Sequence, residues 1–398
     1  MINCFIPFLS LPQARQTVRA LGLCDRIKNI YLLATEKIPD EVDGCEMLMI
    51  DSPASTATFR TIALHADTAY TLLYTKYTAF EPGQFAFERL LAIAGDTNAG
   101  MLYADRYLLK NGNSQQAPVI DYQKGSLRDD FDFGSLLFFR SSVLKQAVRA
   151  MDADYRFAGL YDLRLRVSEL AELVHVNEYL YSEVETDIRK SGEKLFDYVD
   201  PKNRAVQIEL EAVCTAYLKR VGGYLAPDFE PVTFDAGGFE QEASVIIPVR
   251  NRIRTIEDAI RSVLAQKTTF RFNLIIVDNH STDGTSEAIE KYTADGRVVH
   301  LVPERSDLGI GGCWNVGVHH PACGKFAVQL DSDDVYSGPD TLQKIVDAFY
   351  EQNCAMVVGT YRMTDFKMNE IPPGIIDHRE WTLENGRNNA LRINGLGA

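Results

Sequence analysis

The stretch that decides the fold is residues 244–278, with the sequence SVIIPVRNRIRTIEDAIRSVLAQKTTFRFNLIIVD. The apolar runs Ser244–Val249 and Leu274–Val277 have the length of buried strands. Between them, apolar side chains recur with helical spacing from Ile256 to Leu264. Strand, helix and strand in this order predict a β-α-β unit with two parallel strands.

The same alternation continues downstream of this unit. Further strands are predicted at Val298–Val302, Phe326–Leu330 and Ala355–Val358, and an amphipathic helix is predicted around Leu342–Phe349. Repeated alternation of this kind predicts an α/β fold whose mostly parallel sheet is covered by helices on both faces.

The first part of the chain resembles a second copy of this pattern. Three segments support the repeat: CFIPFL around Pro7 parallels VIIPVR around Pro248, Asn29–Ala34 parallels the strand before Asp278, and the region of Pro82 parallels that of Pro339 at an offset of 257. We therefore predict two tandem Rossmann-like domains at 1–200 and 244–398, joined by a helix and linker at 201–243. Chance similarity between two α/β units is the alternative.

Composition bounds the class of protein. The 398 residues are 46% hydrophobic and 24% charged, which is typical of a globular chain, and the formal net charge of -14 disfavours nucleic acid as a partner. Seven cysteines without a C-x-x-C pair argue against a disulfide framework or a structural zinc site. Because no apolar run reaches about 18 residues, we expect a cytoplasmic protein, with contact at the inner face of the membrane left open.

An acidic cluster directly follows one predicted strand. Asp331, Asp333 and Asp334 lie where the strand leaves the carboxyl edge of the sheet, the edge at which open α/β folds bind ligands. Mutual repulsion of three carboxylates favours a divalent cation such as Mg²⁺ or Mn²⁺. A solvated turn that caps the next helix is the alternative.

Other polar residues follow the neighbouring strands. Asp278 ends a strand, and hydrogen-bonding side chains flank it in the connections: Asn251, Asn279, Ser281 and Thr282. The glycine-rich segment 307–315 precedes a predicted helix, so its amides could approach a ligand closely. We expect these groups to converge on one edge of the sheet.

In order and spacing, SVIIPVRNR, LIIVDNHSTDGT, DLGIGGCWNVG and LDSDDVYSGPDTL resemble the family 2 glycosyltransferases with a GT-A fold. The resemblance covers residue 244 to about residue 360. It implies a nucleotide-sugar site formed by Pro248, Val249, Arg250, Asn251, Asp278, Gly309, Asn315, Asp331 and Asp333. It also implies Mn²⁺ or Mg²⁺ at Asp333 and Asp334. Trp314 and Arg250 depart from the family pattern and leave the donor open.

The resemblance further implies an inverting displacement with a carboxylate as general base. In the first copy the position of that base is Asp162, and its counterpart in the second copy falls near position 418, beyond Ala398. We therefore expect a second domain that is incomplete at its C-terminus and lacks the base, with Asp377 or Glu380 as alternatives. In the first copy the acidic cluster is replaced by Tyr74, Thr75, Lys76 and Tyr77, so that domain is expected to be a degenerate relative.

The leading prediction is a metal-dependent transferase that moves a sugar from a nucleotide-sugar donor, with UDP as the expected nucleotide. A saccharide or a lipid-linked molecule is the expected acceptor. Two alternatives remain: a non-catalytic pair of pseudo-transferase domains that only binds ligand, and a nucleotidyltransferase.

Overall fold

The computed structural model describes residues 1–37, 42–110, 113–184, 204–234 and 237–377. The chain divides into two compact units. The first contains Met1–Asp228 and the described residues from Tyr361 onward, and the second contains Phe229–Thr360. The first unit therefore extends beyond residue 200, and the boundary between the units falls inside the predicted linker 201–243.

The first unit is an α/β unit. Its strands are β1 (Ile2–Pro7), β2 (Ile27–Ala34), β3 (Glu46–Met49), β4 (Tyr70–Tyr74), β5 (Phe80–Pro82), β6 (Met101–Lys110), β7 (Asn113–Ala117), β8 (Leu136–Arg140) and β9 (Leu173–Val184). Its helices are α1 (Leu11–Gly22), α2 (Thr56–His65), α3 (Ala86–Thr97), α4 (Ser141–Arg149), α5 (Gly159–Leu170) and α6 (Arg204–Val221). The helix predicted in the linker is α6, and it packs with the first unit through Val213 and Cys214.

The strands of the first unit form one sheet in the order β3-β2-β1-β4-β8-β6-β9-β5, with β7 paired to β6. The pairs β2–β3, β1–β2, β1–β4 and β6–β9 are parallel, and the pairs β4–β8, β6–β8, β5–β9 and β6–β7 are antiparallel. Side chains alternate between the two faces of β1, so that Cys4 and Ile6 join one apolar cluster and Phe5 joins another. Helices α1 and α3 cover the first face, and α2, α4 and α5 cover the second.

The second unit is smaller. Its elements are β10 (Ala243–Val249), α7 (Ile256–Leu264), β11 (Phe272–Asp278), α8 (Thr285–Glu290), β12 (Val298–Leu301), α9 (Gly309–Val318), β13 (Phe326–Gln329) and α10 (Thr341–Gln352). Its parallel strands are ordered β12-β11-β10-β13. The chain continues into the antiparallel hairpin β14 (Tyr361–Thr364) and β15 (Glu370–Ile376), which belongs to the first unit.

Both faces of the second sheet are covered. Val245 and Ile247 of β10 pack with α7 and α10, whereas Ile246 packs with Cys313 of α9. A glycine allows α9 to lie close to the sheet, because a Cβ on Gly317 would stand 2.6 Å from Cγ2 of Ile246. The predicted fold class, two α/β units, is confirmed. The second sheet is parallel throughout, whereas the first has four parallel and four antiparallel pairs.

The two sheets share one strand order. The series β3-β2-β1-β4 in the first unit corresponds to β12-β11-β10-β13 in the second, and all of these pairs are parallel. The two series differ in one connection. In the second unit, α8 lies between β11 and β12, whereas the described residues between β2 and β3 of the first unit contain no helix. The shared order supports the internal repeat inferred from the sequence.

The strand predicted at Ala355–Val358 does not form, and this prediction was wrong. Met356 is 60% and Val358 46% exposed. Its counterpart by sequence in the first unit is β6, which pairs with β8 and β9, two strands that come later in the chain. Within the described residues of the second unit, no later strand is available to pair with this segment.

None of the helices in the described part of the chain combines the length and the hydropathy that a bilayer-spanning helix requires.

Candidate functional site

Two connections at the carboxyl edge of the second sheet are joined by hydrogen bonds. In the β10–α7 connection, Asn251 has a positive φ of 56°, its N–H donates to Ser281 Oγ (2.9 Å), and its Oδ1 accepts from the N–H of Thr282 (2.8 Å). Asp283 Oδ2 accepts from the N–H of Ile253 (3.1 Å). The β11–α8 connection therefore holds the β10–α7 connection in one conformation.

Asp278, the last residue of β11, is enclosed by the protein's own donors. Its side chain is fully buried, Oδ1 accepts from the N–H of Ser281 (2.9 Å), and Oδ2 accepts from the hydroxyl of Ser286. His300 Nε2 lies 3.7 Å from Oδ2, which is an ion-pair distance. Although burial raises the pKa of Asp278, the interactions with His300, Ser281 and Ser286 outweigh it and hold the pKa well below the usual range. A contact between Asp278 and a nucleotide base would first require this carboxylate to be uncovered.

The neighbouring side chain, Asn279, keeps an unused acceptor. Its backbone N–H donates to the carbonyl of Val249 (2.8 Å), whereas its side-chain Oδ1 is buried and has no hydrogen-bond partner. An unpaired buried carbonyl is unfavourable in the free protein. Of Asp278 and Asn279, only Asn279 has a side-chain oxygen without a hydrogen-bond partner.

The acidic residues lie in a turn directly after β13. The N–H of Asp334 donates to the carbonyl of Asp331 (3.1 Å), and Ser332 is buried between them. Partial desolvation raises the pKa of Asp334, and the negative charges of Asp331 and Asp333 raise it further. The turn therefore carries an excess of negative charge.

Arg252 connects the first of the two joined loops to this turn. Its Nε lies 3.7 Å from Asp333 Oδ2, and both side chains are about half exposed, at 49% and 50%. The predicted convergence of the connections after β10, β11 and β13 on one edge is therefore present in the structure.

The remaining predicted residues have different settings. Pro248 and Val249 are buried within β10, and Arg250 is exposed directly after it. Gly309 starts α9 with a φ of 59°, and both Gly309 and Asn315 are exposed on that helix. Trp314, which departs from the family pattern, is partly buried and packs against the apolar cluster that contains Cys313.

The donor chemistry at 331–334 fits a hard divalent cation, since it consists of carboxylate oxygens that repel one another. No group of three or more His, Cys, Asp and Glu side chains within the described residues is arranged to hold a metal. Mg²⁺ is commonly bound by one or two carboxylates together with substrate phosphates rather than by an all-protein cage. The two carboxylates Asp333 and Asp334 match that incomplete kind of site.

The counterpart of this turn in the first unit has a different composition. With Pro7 matched to Pro248, Ile2 of β1 corresponds to Ala243 of β10. Ile2 pairs with Tyr70 and Ala243 pairs with Phe326, so Tyr70 corresponds to Phe326 and the offset at this strand is 256 rather than the 257 expected from the sequence. Thr75, Lys76, Tyr77 and Thr78 therefore stand where the second unit has Asp331, Ser332, Asp333 and Asp334. By the same comparison of registers, Ala34 corresponds to Asp278.

Lys76 in that turn is paired inside the first unit. Its Nζ lies 2.5 Å from Glu183 Oε1, and the Glu183 side chain has no exposed surface. The same carboxylate accepts from Nε of Arg106 (2.9 Å), and Arg106 also pairs with Asp132 (2.9 Å). This turn is closed by ion pairs of the protein itself.

Asp162, the first-unit residue at the position of the expected base, is also internally paired. It is buried in α5, and Arg166 Nε donates to its Oδ1 over 2.9 Å. Burial raises the pKa of Asp162, and Arg166 partly offsets this. Asp162 is therefore held in an ion pair with Arg166 inside the first unit.

Sequence reasoning missed Arg252, Asp283 and His300. Asp283 could have been found from its neighbours, because Asp-Gly-Thr is typical of a turn in which the aspartate accepts from following amides. The contacts of Arg252 and His300 depend on side-chain direction and on strand register, and the sequence pattern determines neither.

The comparisons agree with the second unit's sequence signature. The family model described as glycosyl transferase family 2 matches residues 244–396. A putative teichuronic acid biosynthesis glycosyltransferase of Bacillus subtilis is 33% identical over 30% of this chain and 46% of its own length. An uncharacterized glycosyltransferase of Rickettsia conorii is 38% identical over 24% of this chain and 15% of its own length. The chain thus spans less than half the length of these curated relatives.

Solved structures resemble the chain more weakly. The crystal structure of S. aureus TarS 1-349 is 26% identical, covers 33% of this chain and 38% of its own, and has a TM-score of 0.27. A mannosyltransferase from Pyrobaculum calidifontis, in complex with GDP-Man and Mn²⁺, is 21% identical, covers 43% and 47%, and also has a TM-score of 0.27. With TM-scores this low, the likeness rests on the matched sequence. Residues 244–396 of this chain are thus similar to the family 2 glycosyltransferases.

Proposed function

We propose that the second unit binds a nucleotide-sugar donor, a UDP-sugar in the first instance, and transfers its sugar with inversion to a saccharide or lipid-linked acceptor. The observation that carries the proposal is the contact of Arg252 with Asp333, together with the hydrogen bonds that join the connections after β10 and β11. Side chains of three connections thereby form one polar edge, and ligands bind at this edge in open α/β sheets.

Each connection has a proposed part in donor binding. Residues 248–251 and Asn279 would line the nucleotide pocket, and Asn279 Oδ1, which is buried in the free protein, would be uncovered on binding and accept a hydrogen bond from the base. We favour Asn279 over Asp278 for this contact because the oxygens of Asp278 already accept from Ser281 and Ser286. Gly309 and Asn315 would face the donor from the start of α9, and Asp331 would lie near the ribose.

Asp333 and Asp334 would hold Mn²⁺ or Mg²⁺. When bound, such an ion supplies positive charge that stabilises the leaving nucleoside diphosphate. The protein's own contribution is to fix the turn through the Asp334–Asp331 backbone hydrogen bond and to place Arg252 beside it. No general base is assigned among the described residues, and Glu380, one of the alternatives named from the sequence, lies outside them.

The names of the relatives support a role in cell-envelope polysaccharide assembly, since one of them is described as a teichuronic acid biosynthesis glycosyltransferase. For the first unit we propose a degenerate relative that acts as a scaffold, because its corresponding turn is closed by the Lys76–Glu183 and Arg106–Glu183 pairs.

Calorimetric titration of UDP, with Mn²⁺ and with EDTA, tests the proposal. We expect UDP to bind only in the presence of metal. Asp334→Asn should weaken UDP binding at least tenfold, because removing a charged metal ligand costs about 1.4 kcal/mol or more of binding free energy. Asp347→Asn is the matched control, because Asp347 is an exposed carboxylate on α10 of the same unit and accepts from Gln343 (2.8 Å). UDP binding that ignores both EDTA and Asp334→Asn would contradict the metal-dependent donor site.

Two assays separate the alternatives. Release of pyrophosphate from nucleoside triphosphates would indicate nucleotidyl transfer, for which the connection after β10 lacks the glycine-rich loop usual around a triphosphate. Donor binding without sugar transfer or donor hydrolysis above background would indicate a binding module.

A further inference from the structure

Arg252 combines a fixed backbone with a half-exposed side chain that makes only long polar contacts. Its N–H donates to Thr285 Oγ1 (2.8 Å), and its carbonyl accepts from the N–H groups of Thr255 (3.0 Å) and Ile256 (2.9 Å) at the start of α7. The side chain is 49% exposed. The position of the Cα is therefore set by the fold, while the guanidinium can change partners.

The guanidinium has two loose partners: Nη1 donates to the carbonyl of Asn251 (3.4 Å), and Nε faces a proposed metal ligand. Arg252 Nε lies 3.7 Å from Asp333 Oδ2, at a turn whose three carboxylates repel one another. A separation of 3.7 Å exceeds that of a good charge-assisted hydrogen bond, so the pair is a loose and exposed one. Such a pair can be exchanged for a stronger cation at little cost.

We infer that Arg252 is a built-in counter-ion of the 331–334 turn, which a divalent cation displaces from Asp333 and which then binds the donor's diphosphate. The inference rests on the metal site of the proposed function. Its physical basis is that Asp333 cannot pair fully with a guanidinium and a divalent ion at once, since the two cations repel. A planar guanidinium released beside the metal matches the geometry of phosphate oxygens.

The inference predicts opposite effects of one substitution on two ligands. In Arg252→Gln, Mn²⁺ alone should bind about three- to fivefold more tightly, because metal no longer displaces an exposed ion pair. UDP, in the presence of saturating Mn²⁺, should bind about tenfold more weakly, because a charge-assisted contact to phosphate is lost. Arg252→Lys should fall between wild type and Arg252→Gln for UDP, since lysine keeps the charge but not the planar fork.

Calorimetry of Mn²⁺ alone, and of UDP at saturating Mn²⁺, measures both quantities. The matched control is Arg271→Gln, which removes one exposed arginine from the same unit at the opposite end of β11, where Arg271 pairs with Glu240 (3.5 Å). Arg271→Gln should leave both affinities within twofold of wild type.

An unchanged or weakened Mn²⁺ affinity in Arg252→Gln would overturn the inference, as would an unchanged UDP affinity. If Mn²⁺ binds wild type and Asp334→Asn abolishes this binding, while Arg252→Gln has no effect, the role of Arg252 fails and the proposed function stands. If Mn²⁺ binds wild type only together with UDP, the role of Arg252 fails and the proposed function stands. If wild type binds neither Mn²⁺ alone nor UDP in the presence of Mn²⁺, both fail.

Discussion

The turn after β4 in the first unit and the turn after β13 in the second occupy the same place in the same strand order, yet they differ in charge. In the first, Lys76 pairs with Glu183, whose side chain is fully buried. In the second, three carboxylates crowd one turn, and the arginine beside it is half exposed. The strand order thus specifies where a site can form, and the few residues of the turn specify whether it stays open to a ligand.

The largest expected effect concerns the closed turn. Glu183→Gln leaves Lys76 and Arg106 without their shared carboxylate, so we expect the first unit to lose about 3–5 kcal/mol of unfolding free energy. Urea unfolding followed by circular dichroism measures the loss. Glu178→Gln is the control, because Glu178 pairs with Arg89 (2.6 Å) at an exposed position and should contribute at most about 1 kcal/mol. Equal effects of the two substitutions would show that the closed turn is not held by its buried pair.

A smaller effect is expected for the residue that follows Asp278. Asn279→Ala should weaken UDP binding about tenfold through loss of a buried acceptor, whereas Thr35→Ala, at the corresponding position of the first unit, should leave it unchanged. Titration of UDP at saturating Mn²⁺ compares the two variants. The contrast between the units would fail if Thr35→Ala weakened binding as much as Asn279→Ala does.

His300 sharpens the comparison through pH. Its interaction with Asp278 raises the pKa of His300, and Glu290, whose Oε2 lies 3.4 Å from Nδ1, adds to the shift. A raised pKa in the folded state gives stability that is fully present below the unfolded value near 6.5 and is lost as pH rises through the folded value. The effect belongs to the second unit, since Ala34, the counterpart of Asp278, carries no charge.

We therefore expect His300→Gln to cost about 1 kcal/mol at pH 6 and progressively less at alkaline pH. Thermal unfolding across pH 6–9 checks this expectation, with the exposed residue His319, as His319→Gln, for control. A difference between wild type and His300→Gln that grows with pH would contradict the assigned pairing.

Much of the second unit followed from its sequence pattern. The predicted strand Leu274–Val277 is the centre of β11, and the helix predicted from Ile256 to Leu264 is α7, because apolar periodicity reports which side chains are buried. The strand at Ala355–Val358 was predicted from the same signal and was wrong, since a strand also needs a paired neighbour. The apolar pattern of a segment does not show whether a neighbouring strand is available to pair with it.

For the candidate site, the sequence predicted which connections meet but not which side chains remain available. Asp278 was expected to form part of the nucleotide-sugar site, yet its oxygens already accept from Ser281 and Ser286. The contact of Arg252 with Asp333 joins residues 81 positions apart, and only the placement of β10 beside β13 brings them together. The exact register of β4 likewise required its pairing with β1.

Hydrogen–deuterium exchange with and without UDP and Mn²⁺ tests most directly the claim that the second unit, and not the first, holds the ligand. The account predicts slower exchange in peptides that contain residues 249–255, 278–286 and 331–336, and no change in peptides that contain residues 7–13 and 75–80. Protection of the first-unit peptides, with none in the second unit, would contradict it.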